Sequence, residues 1–137
     1  MPLISRPANL EYLEELIQFV TDHARSNGFR DKRIGEIQLV IEESLVNVMK
    51  YAYPETTGEV QVSCTAKNHD TFIVKVIDTG IPFDILSVDD PDTTLEISRR
   101  QIGGLGIFFI KSLTNEVCYQ REKDKNILTL SFRIERL

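Results

Sequence analysis

Three groups of residues in this 137-residue chain have the types and spacing to do chemistry. The first is Glu43, Asn47 and Lys50. Positions i, i+4 and i+7 share one face of a helix, and Glu36, seven residues before Glu43, continues the stripe. Asn is a poor mid-helix residue. Its neighbours Val40, Ile41, Leu45, Val46, Val48 and Met49 are apolar enough to keep this face from free solvation. A carboxylate and an amide oxygen in a partly buried cleft suit a hard cation or the proton of a nucleophile. The plain alternative is an amphipathic helix with a solvated polar face.

The second group is Asp78-Thr79-Gly80, followed by Phe83-Asp84. An Asp at a strand end accepts hydrogen bonds and can read an amino group on a base, and the Gly lets backbone approach a ligand closely. Its plain alternative is a strand-ending Asx turn. The third is Gly103-Gly104-Leu105-Gly106, which opens an apolar segment over Ile107 to Leu113. Amides at a helix start favour anions, and glycines let phosphate reach the backbone. A Rossmann fingerprint would need a preceding strand, whereas an acidic, Pro-containing loop precedes these glycines. No Gly-Lys-Ser/Thr follows, so the P-loop pattern is absent.

These groups need elements to hold them. Pro2 to Arg6 reads as a short edge strand. Asn9 reads as a helix N-cap, with Leu10, Leu13, Ile17, Val20 and Ala24 recurring at helical spacing and Asn27-Gly28 as the stop. Asp31 reads as the next N-cap, and Ile34, Ile37, Ile41, Leu45 and Val48 carry a second helix to about Ala52, before Pro54. Glu59 to Lys67 and Thr71 to Ile77 alternate as strands around a turn at Asn68-His69-Asp70. The segment 84–102, with Pro91 and several aspartates, reads as a long lid that is mobile without ligand, with a short helix where Thr93 and Glu96 resemble a capping box. Then come the helix over 107–113 and a closing hairpin, Glu116 to Arg121 and Asn126 to Ile134, around a turn over 123–126. Hairpin-joined strands imply antiparallel pairing with the helices gathered on one face. The expected fold is an α/β two-layer sandwich (α+β) forming one domain over 1–137.

The chain carries 21 acidic residues against 16 Lys and Arg, for a formal net charge of -5. The basic residues are scattered among acids, which disfavours nucleic acid or an anionic membrane as partner. Cys64 and Cys118 form no CxxC pair and read as two reduced core thiols. Two cysteines and two distant histidines are too few for a zinc site. No stretch reads as a signal peptide or a membrane span, so the expected location is cytoplasmic.

In this order, the three groups resemble the boxes of the GHKL (Bergerat-fold) ATPases. Glu43-Ser-Leu-Val-Asn47 resembles the N box, Asp78-Thr-Gly80 the G1 box, and Gly103-Gly104-Leu105-Gly106-Ile-Phe-Phe-Ile the G2 box. Size and box spacing are similar to the RsbW-like anti-sigma-factor kinases, which consist of this domain alone. The resemblance implies a Bergerat ATP-binding fold with a mostly antiparallel mixed sheet. It implies a protein serine/threonine kinase that uses ATP and Mg²⁺. Its substrate would be an anti-sigma-factor antagonist with a STAS domain, and members of the family also bind a sigma factor. It further implies a homodimer. Carried across, Glu43 would be the general base and Asn47 the Mg²⁺ ligand. Asp78 would accept from the adenine amino group, with Gly80 beneath the base. Gly103, Gly104, Leu105 and Gly106 would meet the phosphates, with Lys50 as a further phosphate contact and Thr129 near the adenine. Many relatives have His where this chain has Tyr51, and an Arg just before the G2 glycines, where this chain has Arg99 and Arg100 slightly earlier. The alternative function is a regulatory module that binds nucleotide without transferring phosphate and so controls a protein partner.

Overall fold

The structure, a computed structural model, describes residues 2–87 and 104–134. Most of the expected lid, residues 88–102, lies outside the described residues, with the short helix expected at Thr93 to Glu96, Arg99, Arg100 and Gly103.

Five strands form one sheet in the order β1-β2-β3-β5-β4. They are β1 (Leu3–Pro7), β2 (Glu59–Lys67), β3 (Thr71–Asp78), β4 (Glu116–Glu122) and β5 (Lys125–Arg133). Every pairing among the described residues is antiparallel. Helices α1 (Leu13–Ser26), α2 (Asp31–Tyr51) and α3 (Gly104–Leu113) complete an α+β fold.

Alternation decides which face of the sheet the helices cover. On β3 the buried set is Phe72, Val74, Val76 and Asp78, and on β5 it is Asn126, Leu128, Leu130 and Phe132. Val60, Val62 and Cys64 continue this face across β2. Against it pack Leu16, Val20 and Ala24 of α1, Ile37, Val40, Ile41 and Leu45 of α2, and Ile107 and Ile110 of α3. Each large apolar side chain buried here contributes about 1.5–3 kcal/mol. The opposite face carries Ile73, Lys75, Ile77, Ile127, Thr129 and Ser131, all half-exposed.

The turns follow local chemistry. Gly28 takes φ 97°, the left-handed conformation that ends α1 at no Cβ penalty. Asn68 and His69, at φ 56° and 62°, turn the β2–β3 hairpin, and Asn tolerates that region better than most residues. Two helix starts and one turn differ from the sequence reading in ways that local chemistry explains. Asn9 caps a short 3-10 turn, Leu10–Tyr12, that leads into α1. Arg30, not Asp31, is the N-cap of α2, and it makes no side-chain capping bond. Asp31 is the first helical residue instead, where its charge favours the helix dipole. The closing hairpin turns on two residues, Lys123 and Asp124, because Glu122 already pairs with Lys125.

The cysteines are corrected as well. Cys64 is in the core, but Cys118 is exposed on the edge strand β4. Among the described residues no helix is long and apolar enough to cross a membrane. Burial pushes the Cys64 thiol up to about 12, so at pH 8 it is protonated as well as covered. A thiol reagent at pH 8 is therefore expected to label one cysteine per native chain rapidly, and Cys118→Ser is expected to abolish that phase. Two rapid phases would mean that β2 is not protected by the helices.

Candidate functional site: a buried carboxylate at the end of β3

The carboxyl-terminal half of α2 carries the first part of the site. Ser44 and Asn47 are buried at 1% and 5% exposure, which is unusual for polar residues on a helix. Both bond back to the preceding turn, Ser44 Oγ to Val40 O at 2.7 Å and Asn47 Nδ2 to Glu43 O at 2.9 Å. These bonds settle the donors. Among the described residues the Asn47 Oδ1 accepts no hydrogen bond, so an acceptor is left at the buried face.

Glu43 is half-buried and its carboxylate lies against α3. A Cβ added at Gly106 would meet Glu43 Oε2 at 2.4 Å, so the first turn of α3 lies against the acid as it is now placed. Burial raises the Glu43 carboxyl above its ordinary value, neighbouring Glu42 raises it further, and the Lys50 charge offsets part of the rise. A carboxyl raised in this way is a better proton acceptor than an exposed one.

The second part is the end of β3. Asp78 is 5% exposed. Its Oδ1 accepts from Gly80 N at 2.9 Å and from Asn126 Nδ2 at 2.8 Å. Burial raises its carboxyl above the usual carboxylate value of 3.8, and the bonds from Asn126 and Gly80 and the charge of Arg121 pull it partly back. Asn126 faces Asp78 in the β3–β5 register and also donates to Ile81 O at 2.8 Å. Its Oδ1 accepts from Tyr119 Oη, from Arg121 Nη1 at 3.3 Å and from Phe83 N at 3.4 Å. One amide therefore ties the acid, the chain beyond it and the β4–β5 hairpin together.

Gly80 is explained by α2. A Cβ there would lie 2.1 Å from the backbone oxygen of Ala52, at the carboxyl end of that helix, and the next amide, Ile81 N, donates to the same oxygen at 2.9 Å.

These parts enclose a cavity of about 30 Å³, lined by Asn47, Val48, Asp78, Phe83, Ile85 and Asn126 among others. That is the room of a single water. Phe83 stacks on Tyr51 at 5.0 Å between ring centres, and Ile85 is buried, so the segment after Gly80 forms the outer wall. Two larger grooves lie elsewhere, one beside Gly80 and one at the far end of α2. The small cavity is nevertheless the candidate site, because the buried acid and both buried amides line it.

The structure thus brings Asn47 and Asp78 together, with Glu43 beside Gly106 at the start of α3. Gly104 is the first residue of α3 and Leu105 the second. Lys50 is exposed on the last turn of α2 and lines none of the three grooves. Thr129 is not brought to the cavity. It lies three residues from Asn126 on β5, so strand parity turns it to the opposite face of the sheet. Glu36 pairs with Arg33 at 3.0 Å and belongs to the far end of α2. Asn126, Tyr119, Arg121 and Ser44 were missed. The available signal was an Asn at an inward position of β5, in step with Leu128, Leu130 and Phe132.

Two outcomes test this geometry. Gly80→Ala is expected to destabilise the fold by about 1–3 kcal/mol in urea unfolding, because its Cβ meets fixed helix backbone. An unchanged midpoint would show that the turn can move away freely. The second test concerns pH. A carboxyl raised in the folded state contributes stability below the unfolded value and loses it as pH rises through the folded value. Wild type should therefore lose stability upward from about pH 3.8, the ordinary value of Asp78. Asp78→Asn keeps the acceptor oxygen but cannot ionise, so its stability relative to wild type should increase over that interval. A pH-independent difference would mean that burial does not penalise this charge.

The comparisons with known proteins bear on the family and the fold. The histidine kinase-like ATPase domain family matches residues 6–132. Serine-protein kinase RsbW of Bacillus cereus (strain AH187) is 23% identical over 130 residues, covering 92% of this chain and 81% of that protein. Among solved structures, the RsbU and RsbW domains of Rv1364c from Mycobacterium tuberculosis superpose with a TM-score of 0.68 at 16% identity. That match covers 100% of this chain and 34% of the other, so this chain spans about a third of it. The SiaB–SiaC complex from Pseudomonas aeruginosa gives 0.58 at 13% identity, covering 98% and 90%. With a family match over nearly its whole length and the same fold in these neighbours, this chain belongs to the histidine kinase-like ATPase domain family.

Proposed function

We propose that this protein is an ATP-dependent serine/threonine protein kinase of the anti-sigma-factor type. The observation that carries the reading is the buried Asp78 carboxylate, held on one oxygen by Gly80 and Asn126, beside the buried Asn47 amide. A carboxylate kept at a desolvation cost, with an acceptor to spare, suits the exocyclic amino group of adenine. The cavity as it stands holds only one water, so entry of the base requires Phe83 and Ile85 to retract.

Glu43 is the proposed general base. A Ser or Thr hydroxyl of the substrate would lose its proton to this carboxylate as its oxygen attacks the γ-phosphorus. The bond from that phosphorus to the bridging oxygen breaks, and ADP leaves. Alignment and charge neutralisation do most of this work. Mg²⁺ supplies the neutralisation when bound with the nucleotide, and Asn47 Oδ1 is its proposed protein ligand, consistent with the few protein ligands Mg²⁺ takes. Gly104 and Gly106 at the start of α3 are the proposed phosphate-side amides, with Lys50 as a further cation. The RsbW relatives, named serine-protein kinases, and the neighbour solved as a SiaB–SiaC complex support a protein as substrate, and the proposed one is a small STAS-domain antagonist. A sigma factor as second partner, a homodimer and a cytoplasmic location complete the proposal.

Calorimetry with Mg-ATP is expected to show saturable binding that weakens at least tenfold, about 1.4 kcal/mol, in Asp78→Asn. Transfer of labelled γ-phosphate to a STAS-domain partner is expected to slow by roughly 10²–10⁴ in Glu43→Ala, with ATP affinity little changed. No binding by either folded protein would sink the ATP reading. ATP-dependent complex formation with equal background transfer by wild type and Glu43→Ala would replace the kinase by the non-transferring regulatory module.

A further inference from the structure

The amino-terminal end of α2 carries a second feature that the proposed phosphotransfer does not use. A groove of about 460 Å³ opens there, lined by Gly28, Phe29, Arg30, Lys32, Arg33, Glu36, Asn115 and Arg133. That volume falls in the range of small-molecule sites. The lining holds four cations and one acid, on a chain whose formal net charge is -5.

The groove is remote from the cavity at Asp78. Fourteen residues of helix separate Arg33 from Asn47, or about 21 Å at 1.5 Å per residue. Arg133 pairs with Thr71, at the opposite end of β3 from Asp78. That is about 23 Å of strand.

One of the four cations is fixed in place. Arg33 Nη1 donates to Leu113 O at 2.7 Å and to Glu36 Oε1 at 3.0 Å, and its Nη2 donates to Asn115 Oδ1 at 2.8 Å. Its guanidinium also lies over the Phe132 ring, 5.4 Å from the centroid. These contacts hold the floor of the groove and engage its one carboxylate. Arg30, Lys32 and Arg133 are exposed, and among the described residues none of them forms an ion pair. Asp31, between Arg30 and Lys32 in the chain, is paired with Arg25 at 3.9 Å. Three exposed cations thus line one groove with a fourth that is already positioned. Like charges sharing one groove repel, and an anion of matching multiplicity relieves that repulsion. Three of the four are arginines, whose planar forks match phosphate oxygens in pairs.

We propose that this groove binds a compact polyphosphate anion at a site separate from the nucleotide cavity. The ligand carries two or more linked phosphate groups, which engage Arg30, Lys32 and Arg133 together, while Arg33 and Asn115 set the floor.

The test is titration of inorganic tripolyphosphate into the ¹⁵N-labelled full chain. Saturable shifts are expected at the amides of Gly28 to Arg33, Asn115 and Arg133. The same titration of Arg30→Ala/Arg133→Ala should show at least tenfold weaker binding at those amides. Both residues are exposed, so this variant should keep the wild-type spectrum elsewhere. In Asp78→Asn the groove shifts should persist unchanged, which separates this site from the proposed ATP cavity whether or not that cavity binds nucleotide. Groove shifts produced by tripolyphosphate alone assign a free inorganic polyphosphate. The same shifts produced by ADP in Asp78→Asn assign the phosphate chain of a nucleotide. Shifts confined to Asn47 and Gly104 to Gly106, unsaturable shifts spread over all surface lysines, or equal affinity in the double variant would overturn the proposal.

Discussion

The hydrogen bond from Asn126 Nδ2 to Asp78 Oδ1, 2.8 Å long and buried, is the constraint on which the rest of the site depends. It joins residues 48 positions apart, and it exists only in one register of β3 against β5. The apolar alternation of the two strands selects that same register. A slip by one residue would turn Phe72, Val74 and Val76 outward and separate Asp78 from Asn126 at once. The core and the site are therefore specified by one pairing. The bond to a charged acceptor contributes about 1.5–3 kcal/mol, but burial still leaves the Asp78 carboxyl raised. Stability alone would favour a neutral residue at position 78. The charge makes sense as a group held ready for a hydrogen-bond donor that comes from outside.

Helix α2 is the second constraint, because it serves core and site with adjacent residues. Ile37, Val40, Ile41 and Leu45 are fully buried against the sheet, while Glu43, Ser44 and Asn47 interleave with them. The site residues cannot shift along the sheet without moving the core. Two glycines set how closely other elements meet this helix. Gly80 brings the turn after β3 against Ala52, and Gly106 brings α3 against Glu43. At Gly80 the missing Cβ is a packing requirement against helix backbone, and at Gly106 it leaves the Glu43 carboxylate in its present position. The sequence reading assigned these glycines to contact with ligand. The contact with α2 is an additional reason for each, and it operates in the free protein.

What the sequence disclosed follows from the range of the interactions involved. Glu43 and Asn47 stood out because helical periodicity is local and an Asn inside an apolar helix conflicts with it. The strands around Asn68 and the stop at Gly28 were legible for the same reason. Asn126 was hidden because its partner lies on another strand, and because it stood where the turn over 123–126 met the strand begun at Asn126, a place where an Asn reads as a turn residue. With β5 begun at Lys125, parity places Asn126 inward and Thr129 outward, reversing their importance. Cys118 was read as core because an edge strand and a central strand look alike in composition, and only the strand order β1-β2-β3-β5-β4 separates them. Glu36 fitted the polar stripe of α2 by spacing, yet an arginine three residues earlier and the proximity of Asn115 draw that end of the helix into a different neighbourhood.

The cavity wall shows how reading and access are linked. Phe83 and Ile85 close the space beside Asp78, and both follow directly from the turn at Gly80. That turn is held at three points: by Ile81 N on Ala52 O, by Asn126 Nδ2 on Ile81 O, and by Arg121 Nη1 on Gly80 O at 2.8 Å. Phe83 N adds a longer bond, 3.4 Å, to Asn126 Oδ1. The bonds at Gly80 and Ile81 are 2.8–2.9 Å long, against 3.4 Å at Phe83, so the wall is held more firmly at its root than at Phe83. Outward movement of Phe83 and Ile85 could therefore enlarge the cavity while Asp78, Gly80 and Asn126 stay in place. The group that would read a base and the side chains that would yield to it share one polar anchor, Asn126, and that anchor is on the rigid sheet.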